Sequence, residues 1–254
     1  MTGSLILLTA VELEARGLAR ELELGRLHGV PFPCYAGTLP AGPVVLAPMG
    51  LRARLLPDRW PALVAGFGPA LVISTGTCGA LDPSLEVGEL VLAREVLTAE
   101  RGSLAVSPEA IEALPGAAAT GCPARLGTLF CADRVVATSR AKAELRQTTG
   151  AIAVDLESGP ILEFARSRGL PAFVLRGVSD SADQPLPPEL AALVTPAGTL
   201  RAGRALGLAL THPGTLSQAL ALRRGTSRAL KNVARFLAHV PAPIALRLEQ
   251  PPSA

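Results

Sequence analysis

The stretch that decides the fold runs over residues 151–183 and reads AIAVDLESGPILEFARSRGLPAFVLRGVSDSAD. Residues 152–156 form a short apolar run. Over 158–168, Ile161, Leu162 and Ala165 fall at helical spacing, and Gly169 supplies a stop. Pro171 opens a second apolar run over 172–178. Two buried parallel strands joined by a crossover helix have this pattern. A carboxylate follows each strand: Glu157 after the first, Asp180 after the second. In an open α/β sheet that end forms the ligand crevice. Taken singly, each acid has a plainer reading as a cap or turn residue, because acids favour the first helical turn. Two acids in two distinctive patterns, VDLES and VSDSAD, favour a site.

Working outward, Ser4–Thr9 (SLILLT) reads as the first buried strand, and 12–24 as a helix with an acidic first turn. Residues 31–43 read as a loop or edge hairpin and 44–48 as a strand. A turn at Gly50 leads into a segment carrying Arg52, Arg54 and Arg59. Residues 70–75 (ALVIST) read as the central strand, running into a small-residue turn, GTCGALDP. Strands are expected over 89–96 and 125–131 and a helix over 140–147, while 99–123 is poorly patterned. Strands alternating with helices imply an α/β fold with helices on both faces of the sheet.

The chain has 254 residues, of which 49% are hydrophobic, enough for a large core and incompatible with disorder. A net charge of +3 is too small to argue for nucleic acid. Cys34, Cys78, Cys122 and Cys131 form no CxxC or Cys/His cluster, so neither a zinc site nor a redox motif is expected, and a reducing cytosol fits. No basic leader and no apolar run of membrane-spanning length is present, so the expectation is a cytoplasmic protein. GTCG is not a dinucleotide fingerprint, and no resident cofactor or metal is expected. His28 and His212 read as loop residues.

From Leu190 to Leu248 there is no acid. The reading is therefore one domain over 1–190 and a basic helical extension over 191–254, packed on it or flanking it. A helix over 215–239 places Arg224, Arg228, Lys231 and Arg235 on one stripe and Leu222, Leu230, Val233 and Leu237 opposite. A core-packed helix with a solvated basic face is one reading. Peripheral contact with anionic lipid is the other.

Four segments carry a family resemblance. VDLES followed by RGVSDSAD resembles the purine nucleoside phosphorylase and methylthioadenosine/adenosylhomocysteine nucleosidase superfamily, whose pattern ends its first strand in Val-Glu-Met-Glu or a near variant. Leu156 stands here for the Met. TAVELEA over 9–15 resembles the nucleosidase pattern G-A-M-E-E-E. STGTCGALDP resembles the superfamily's small-residue strand end. CADRVV over 131–136 stands where the nucleosidases carry Gly-Asp-x-Phe-Ile. The resemblance implies a single-domain nucleoside phosphorylase-like fold, with a mixed central sheet covered by helices. It also implies cleavage of the N-glycosidic bond of a 5′-substituted adenosine. Asp180 then matches the acid that protonates the base and Glu14 the water-binding carboxylate. Glu157, with Leu156 beside it, matches the ribose site. Thr77 holds water or phosphate, and Cys78, Gly79, Val135, Val136 and Ser179 line the base. Asp180 would need surroundings that keep a proton on it near neutral pH. The phosphorylase Arg is missing, since Ser74 stands there; Arg16, Arg52 and Arg54 are the substitutes by position. The run over 131–158, ADQPLPPEL and the basic tail look most like the hopanoid-associated phosphorylase branch. That implies adenosylhopane as substrate, inorganic phosphate as co-substrate and a homo-oligomer, most simply a dimer. The alternative is a hydrolytic nucleosidase acting on methylthioadenosine, adenosylhomocysteine or futalosine.

Overall fold

The computed structural model describes residues 3–100, 102–108, 111, 120–186 and 213–240, with side chains in the last segment from 220 onward. Ten strands form one mixed sheet: β1 Ser4–Thr9, β2 Gly25–Arg26, β3 Tyr35–Leu39, β4 Gly42–Pro48, β5 Pro69–Ala80, β6 Leu90–Thr98, β7 Gly102–Ala105, β8 Ala124–Cys131, β9 Ala153–Asp155 and β10 Ala172–Asp180. The helices among the described residues are α1 Glu12–Glu21, α2 Leu56–Val64, α3 Ser139–Thr149, α4 Ser158–Ser167 and α5 Pro213–Ala238, with a 3-10 turn at Leu51–Ala53.

β1 is apolar over Leu5, Ile6, Leu7 and Leu8 because it is buried on both faces, flanked in parallel by β4 and β5. Past β5 the sheet closes on itself. β5 pairs with β10, β10 with β6, β6 with β8, β8 with β9, and β9 again with β5. Closure leaves these five strands with no free edge.

Two sequence expectations are corrected here. β9 and β10, read as parallel strands joined by a crossover helix, run in opposite directions. They flank β5 from opposite sides, β10 parallel to it and β9 antiparallel. The GTCG segment, read as a turn, is the second half of a twelve-residue strand. Small residues serve there because β5 is approached from both sides. A Cβ on Gly79 would lie 2.9 Å from Asp180 Oδ2. One on Gly76 (φ +131°) would lie 2.9 Å from both Arg176 Nη1 and Glu14 Oε1. Residues 31–43 resolve into the β3–β4 hairpin, and β7 lies in the stretch that lacked pattern.

α5 packs across β10, β5 and α1. Leu230, Val233, Phe236, Leu237 and Val240 join the same core cluster as β1 and β5. The fit is close: a Cβ on Gly225 would overlap the Ser179 carbonyl oxygen, and one on Gly177 would meet Ala229. Arg224, Arg228, Lys231 and Arg235 are exposed. The leucine-rich face is thus used by the core, and the lipid-surface reading, which needs that face free, is corrected to a core-packed helix with a solvated basic stripe. Among the described residues no helix is long and apolar enough to cross a membrane.

Candidate active site

A cavity of about 480 Å³ opens at the C-terminal halves of β5 and β10 and the end of β9. Opposite directions of β9 and β10 give it an order along β5. Asp180 pairs in register with Gly79, and Val154 of β9 flanks the same glycine. The chain leaving β9 then runs back toward Gly76, carrying Asp155, Leu156 and Glu157, while α1 brings Glu14 to Thr77. The result is a line of carboxylates, from Asp180 at one end through Glu157 to Glu14.

Glu14 is buried and held by four donors. The Thr77 backbone N–H (2.9 Å) and hydroxyl (2.8 Å) donate to Oε1. The N–H groups of Ala10 (3.2 Å) and Val11 (3.4 Å) donate to Oε2. Val11 is the N-cap of α1 and Ala10 precedes it, so the Glu14 carboxylate at the third helical position folds back over the start of the helix, as in a capping box.

Glu157 receives the Arg52 N–H at 3.2 Å. Arg52 and Ala53 adopt positive φ (57° and 52°), a conformation that costs non-glycine residues about 1–3 kcal/mol and aims that N–H into the site. Burial, and then the neighbouring Asp155 carboxylate, push the Glu157 carboxyl up to about 8, against the opposing pull of the Arg176 guanidinium. The helix-cap reading of Glu157 fails, because its side chain caps nothing. Asp155 does that work, accepting from the Ser158 N–H (3.2 Å) and from the Ser158 hydroxyl.

Arg176, wholly buried, pairs with Asp155 Oδ2 at 2.6 Å and donates to the Thr75 carbonyl and the Ser74 hydroxyl. Burial opposes its charge, but Asp155, Glu157 and Glu14 outweigh that and hold its pKa above the usual arginine value. It anchors Asp155 and, among the described contacts, makes no hydrogen bond or ion pair with Asp180. Burial likewise pushes the Cys78 thiol up, so it serves as a small apolar lining group.

The resemblance asks for surroundings that raise the pKa of Asp180 so that it holds a proton near neutral pH. Asp180 is instead paired with a buried ammonium, Lys142 Nζ, 2.6 Å from Oδ2, while Oδ1 lies 2.7 Å from the Ser179 hydroxyl. Lys142 was missed from the sequence. It sits on α3, 38 residues from its partner, and a lysine in AKAEL reads as a solvated helix residue.

Leu156, Cys78, Gly79, Val135, Val136, Ser179, Thr77, Arg52 and Arg54 all line the cavity, as do Leu222 and Thr226 of α5. The side chain of Arg52 is engaged with Asp133 at 2.8 Å. Arg16 is a correction: its side chain is 67% exposed and paired with Glu12 one turn back, so it does not reach the cavity. Among the described residues no group of His, Cys, Asp and Glu is arranged to hold a metal ion.

Known proteins share this architecture. The chain is 31% identical to futalosine hydrolase of Streptomyces coelicolor, over 57% of this chain and 77% of that one. It is 28% identical to the 5′-methylthioadenosine/S-adenosylhomocysteine nucleosidase of Shewanella oneidensis, over 64% of this chain and 77% of that one. The structure of the Neisseria meningitidis nucleosidase in complex with methylthio-immucillin-A superposes with a TM-score of 0.69 at 23% identity, covering 93% of this chain and 97% of that one. Helicobacter pylori futalosine hydrolase gives 0.66 at 17%, covering 93% and 96%. At those identities the superpositions speak for the fold alone. The phosphorylase superfamily model matches residues 4–210, a span that takes in Glu14, Glu157 and Asp180 and all ten strands, and the chain belongs to that superfamily.

Proposed function

We propose that the protein is a hydrolytic nucleosidase that cleaves the N-glycosidic bond of a 5′-substituted, adenosine-type nucleoside. The observation that carries this reading is Glu14, a carboxylate held by four donors at the opposite end of the cavity from Asp180. A purine between Val135, Val136 and Cys78 would meet Asp180. Its ribose hydroxyls would donate to Glu157, with Leu156 alongside. As the C1′–N9 bond breaks, its electron pair moves into the purine and Asp180 gives the ring a proton. Positive charge grows on the sugar, and Glu157, which gives its proton to solvent as the two hydroxyl donors favour the carboxylate, stabilises that charge. Glu14 takes the proton of the attacking water, whose oxygen bonds to C1′. The products are free base and free sugar.

Water is preferred to phosphate on charge. An anion at Thr77 would share its donors with a carboxylate, and Arg16 is not there to offset it. Phosphorolysis stays as a second reading because Arg54 lines the cavity and Arg is suited to a phosphate contact. The relatives named above are a hydrolase and nucleosidases, so soluble 5′-substituted nucleosides are the substrates of choice; adenosylhopane finds no support among them. Leu13, 51% exposed between cavity-lining Val11 and Glu14, is a surface that a second copy of the chain would cover, in keeping with the dimer expected from the resemblance. The test is base release from methylthioadenosine, adenosylhomocysteine and futalosine. Turnover of at least one supports the reading; none with correctly folded protein overturns it.

A further inference from the structure

Lys142 is fully buried, and all three of its N–H donors are spent: on Asp180 Oδ2 (2.6 Å), the Ser181 carbonyl (2.7 Å) and the Gln184 carbonyl (3.0 Å). A neutral amine has two donors, so this three-acceptor cage fits an ammonium. The charge is fixed on one carboxylate oxygen, which lies 2.9 Å from where a Cβ on Gly79 would stand. The other oxygen, Oδ1, meets the Ser179 hydroxyl, and that hydroxyl also lies 3.1 Å from the Cys78 carbonyl. One hydroxyl proton serves two acceptors here. When Asp180 carries a proton on Oδ1, it donates to Ser179 and Ser179 donates to Cys78. When Asp180 is a carboxylate, Ser179 turns its proton to Oδ1.

We propose that Lys142 is a positioning residue for protonation of the leaving base, resting on the functional reading above: its ammonium reserves Oδ2, makes Oδ1 the oxygen through which the proton passes, and stabilises the carboxylate that Asp180 becomes. In that step the Oδ1–H bond breaks, an N–H bond forms on the purine, and the electron pair of the C1′–N9 bond moves into the ring. Ser179 then swings to the new carboxylate. Lys142 keeps its proton throughout. The other groups near this pair are Cys78 on β5, exposed Asp183 beyond β10, Glu14, Asp155 and Glu157 farther along the cavity, and the buried Arg176 that pairs with Asp155. None of them donates to Oδ2 among the described contacts, so the cation there is Lys142.

The test compares Lys142→Met, close in length but uncharged, and Lys142→Arg with wild type over the pH profile. Without the cation the Asp180 carboxylate is disfavoured, so the acid holds its proton to higher pH. The alkaline limb of kcat/KM should move up by about one unit or more in Lys142→Met. At neutral pH kcat should fall at least ~10-fold, with KM changed less than about threefold. Lys142→Arg should keep the wild-type limb. Should Lys142→Met not fold, Lys142→Gln retains a donor for the carbonyls and should show the same displaced limb. An unmoved limb in whichever uncharged variant folds, whether activity survives or falls, overturns the proposal and reduces Lys142 to a structural ion pair. Wild type inactive on every nucleoside overturns the functional reading and the proposal together, whereas an active wild type with unmoved variants overturns the proposal alone.

Discussion

Asp180 and Glu157 are both buried carboxyl groups, and their surroundings set them different tasks. Asp180 has a cation on one oxygen and a hydroxyl on the other. Asp180→Asn keeps the shape and removes the transferable proton. Turnover should fall at least ~10²-fold, the scale of general acid catalysis, and a variant within a few fold of wild type would remove Asp180 from that role. Glu157 titrates at about 8 in place of 4.5 because it is buried beside Asp155. A folded state that binds the proton more tightly than the unfolded chain gains stability below the unfolded value and loses it as pH rises through the folded one. Relative to Glu157→Gln, which does not titrate, wild type should therefore lose stability from about pH 4.5 upward and level off above about pH 8. Urea unfolding of both proteins across that range checks the sign, and a constant difference would contradict it. Glu14, Thr77, Glu157 and Asp180 were legible in the sequence because each sits in a short contiguous pattern. Lys142 was not, because its partner lies on another element. Arg16 misled because sequence distance to Glu14 ignores the helix: position 16 falls one turn beyond Glu12 on the exposed face, where the pair of opposite charges forms.

At the scale of elements, strands and helices were readable from apolar runs and their spacing, but strand direction was not. β9 and β10 have the same apolar text whether they run together or opposed. The opposed arrangement is set by their partners, β8 and β6, which lie far along the chain. It has a functional consequence, since it spreads Asp180, Glu157 and Glu14 along β5 where side-by-side parallel strands would bunch the first two. The glycines of GTCG read as a turn for a similar reason. What they make room for, side chains from β10 and α1, is absent from the local sequence. α5 shows the same dependence on tertiary context. Its periodicity gave the right apolar face, and the structure shows that face packed in the core. Gly225→Val would drive a branched side chain into the Ser179 carbonyl, next to the proposed acid. Overpacking of this kind costs about 1–3 kcal/mol, to be read by urea unfolding, and turnover should fall with it. Unchanged stability and activity would mean that α5 is not seated on β10 as described. Charge removal at exposed Arg224 or Arg235 should leave stability within about ±0.5 kcal/mol.

The molecule as a whole is a closed five-strand ring with an open wing, β1 to β4, joined to it at β5, and with β7 added to β6. Closure places three strand ends and three helices, α1, α3 and α5, around one cavity, so residues as far apart in the chain as Ala10 and Thr226 line it together. That convergence is why the family resemblance, carried by separate short patterns, translates into one site. It leaves the nucleophile as the central question, because the same frame serves water or phosphate. The described cavity puts a four-donor carboxylate, Glu14, away from Asp180 and leaves one sequence-suggested arginine, Arg16, outside. The most direct measurement is the sugar product formed from methylthioadenosine, or whichever nucleoside is turned over, with and without inorganic phosphate. Hydrolysis predicts free 5-substituted ribose at a rate that phosphate does not raise, and its loss in Glu14→Gln. A 1-phosphorylated sugar, formed at a rate that climbs with phosphate concentration, would contradict it.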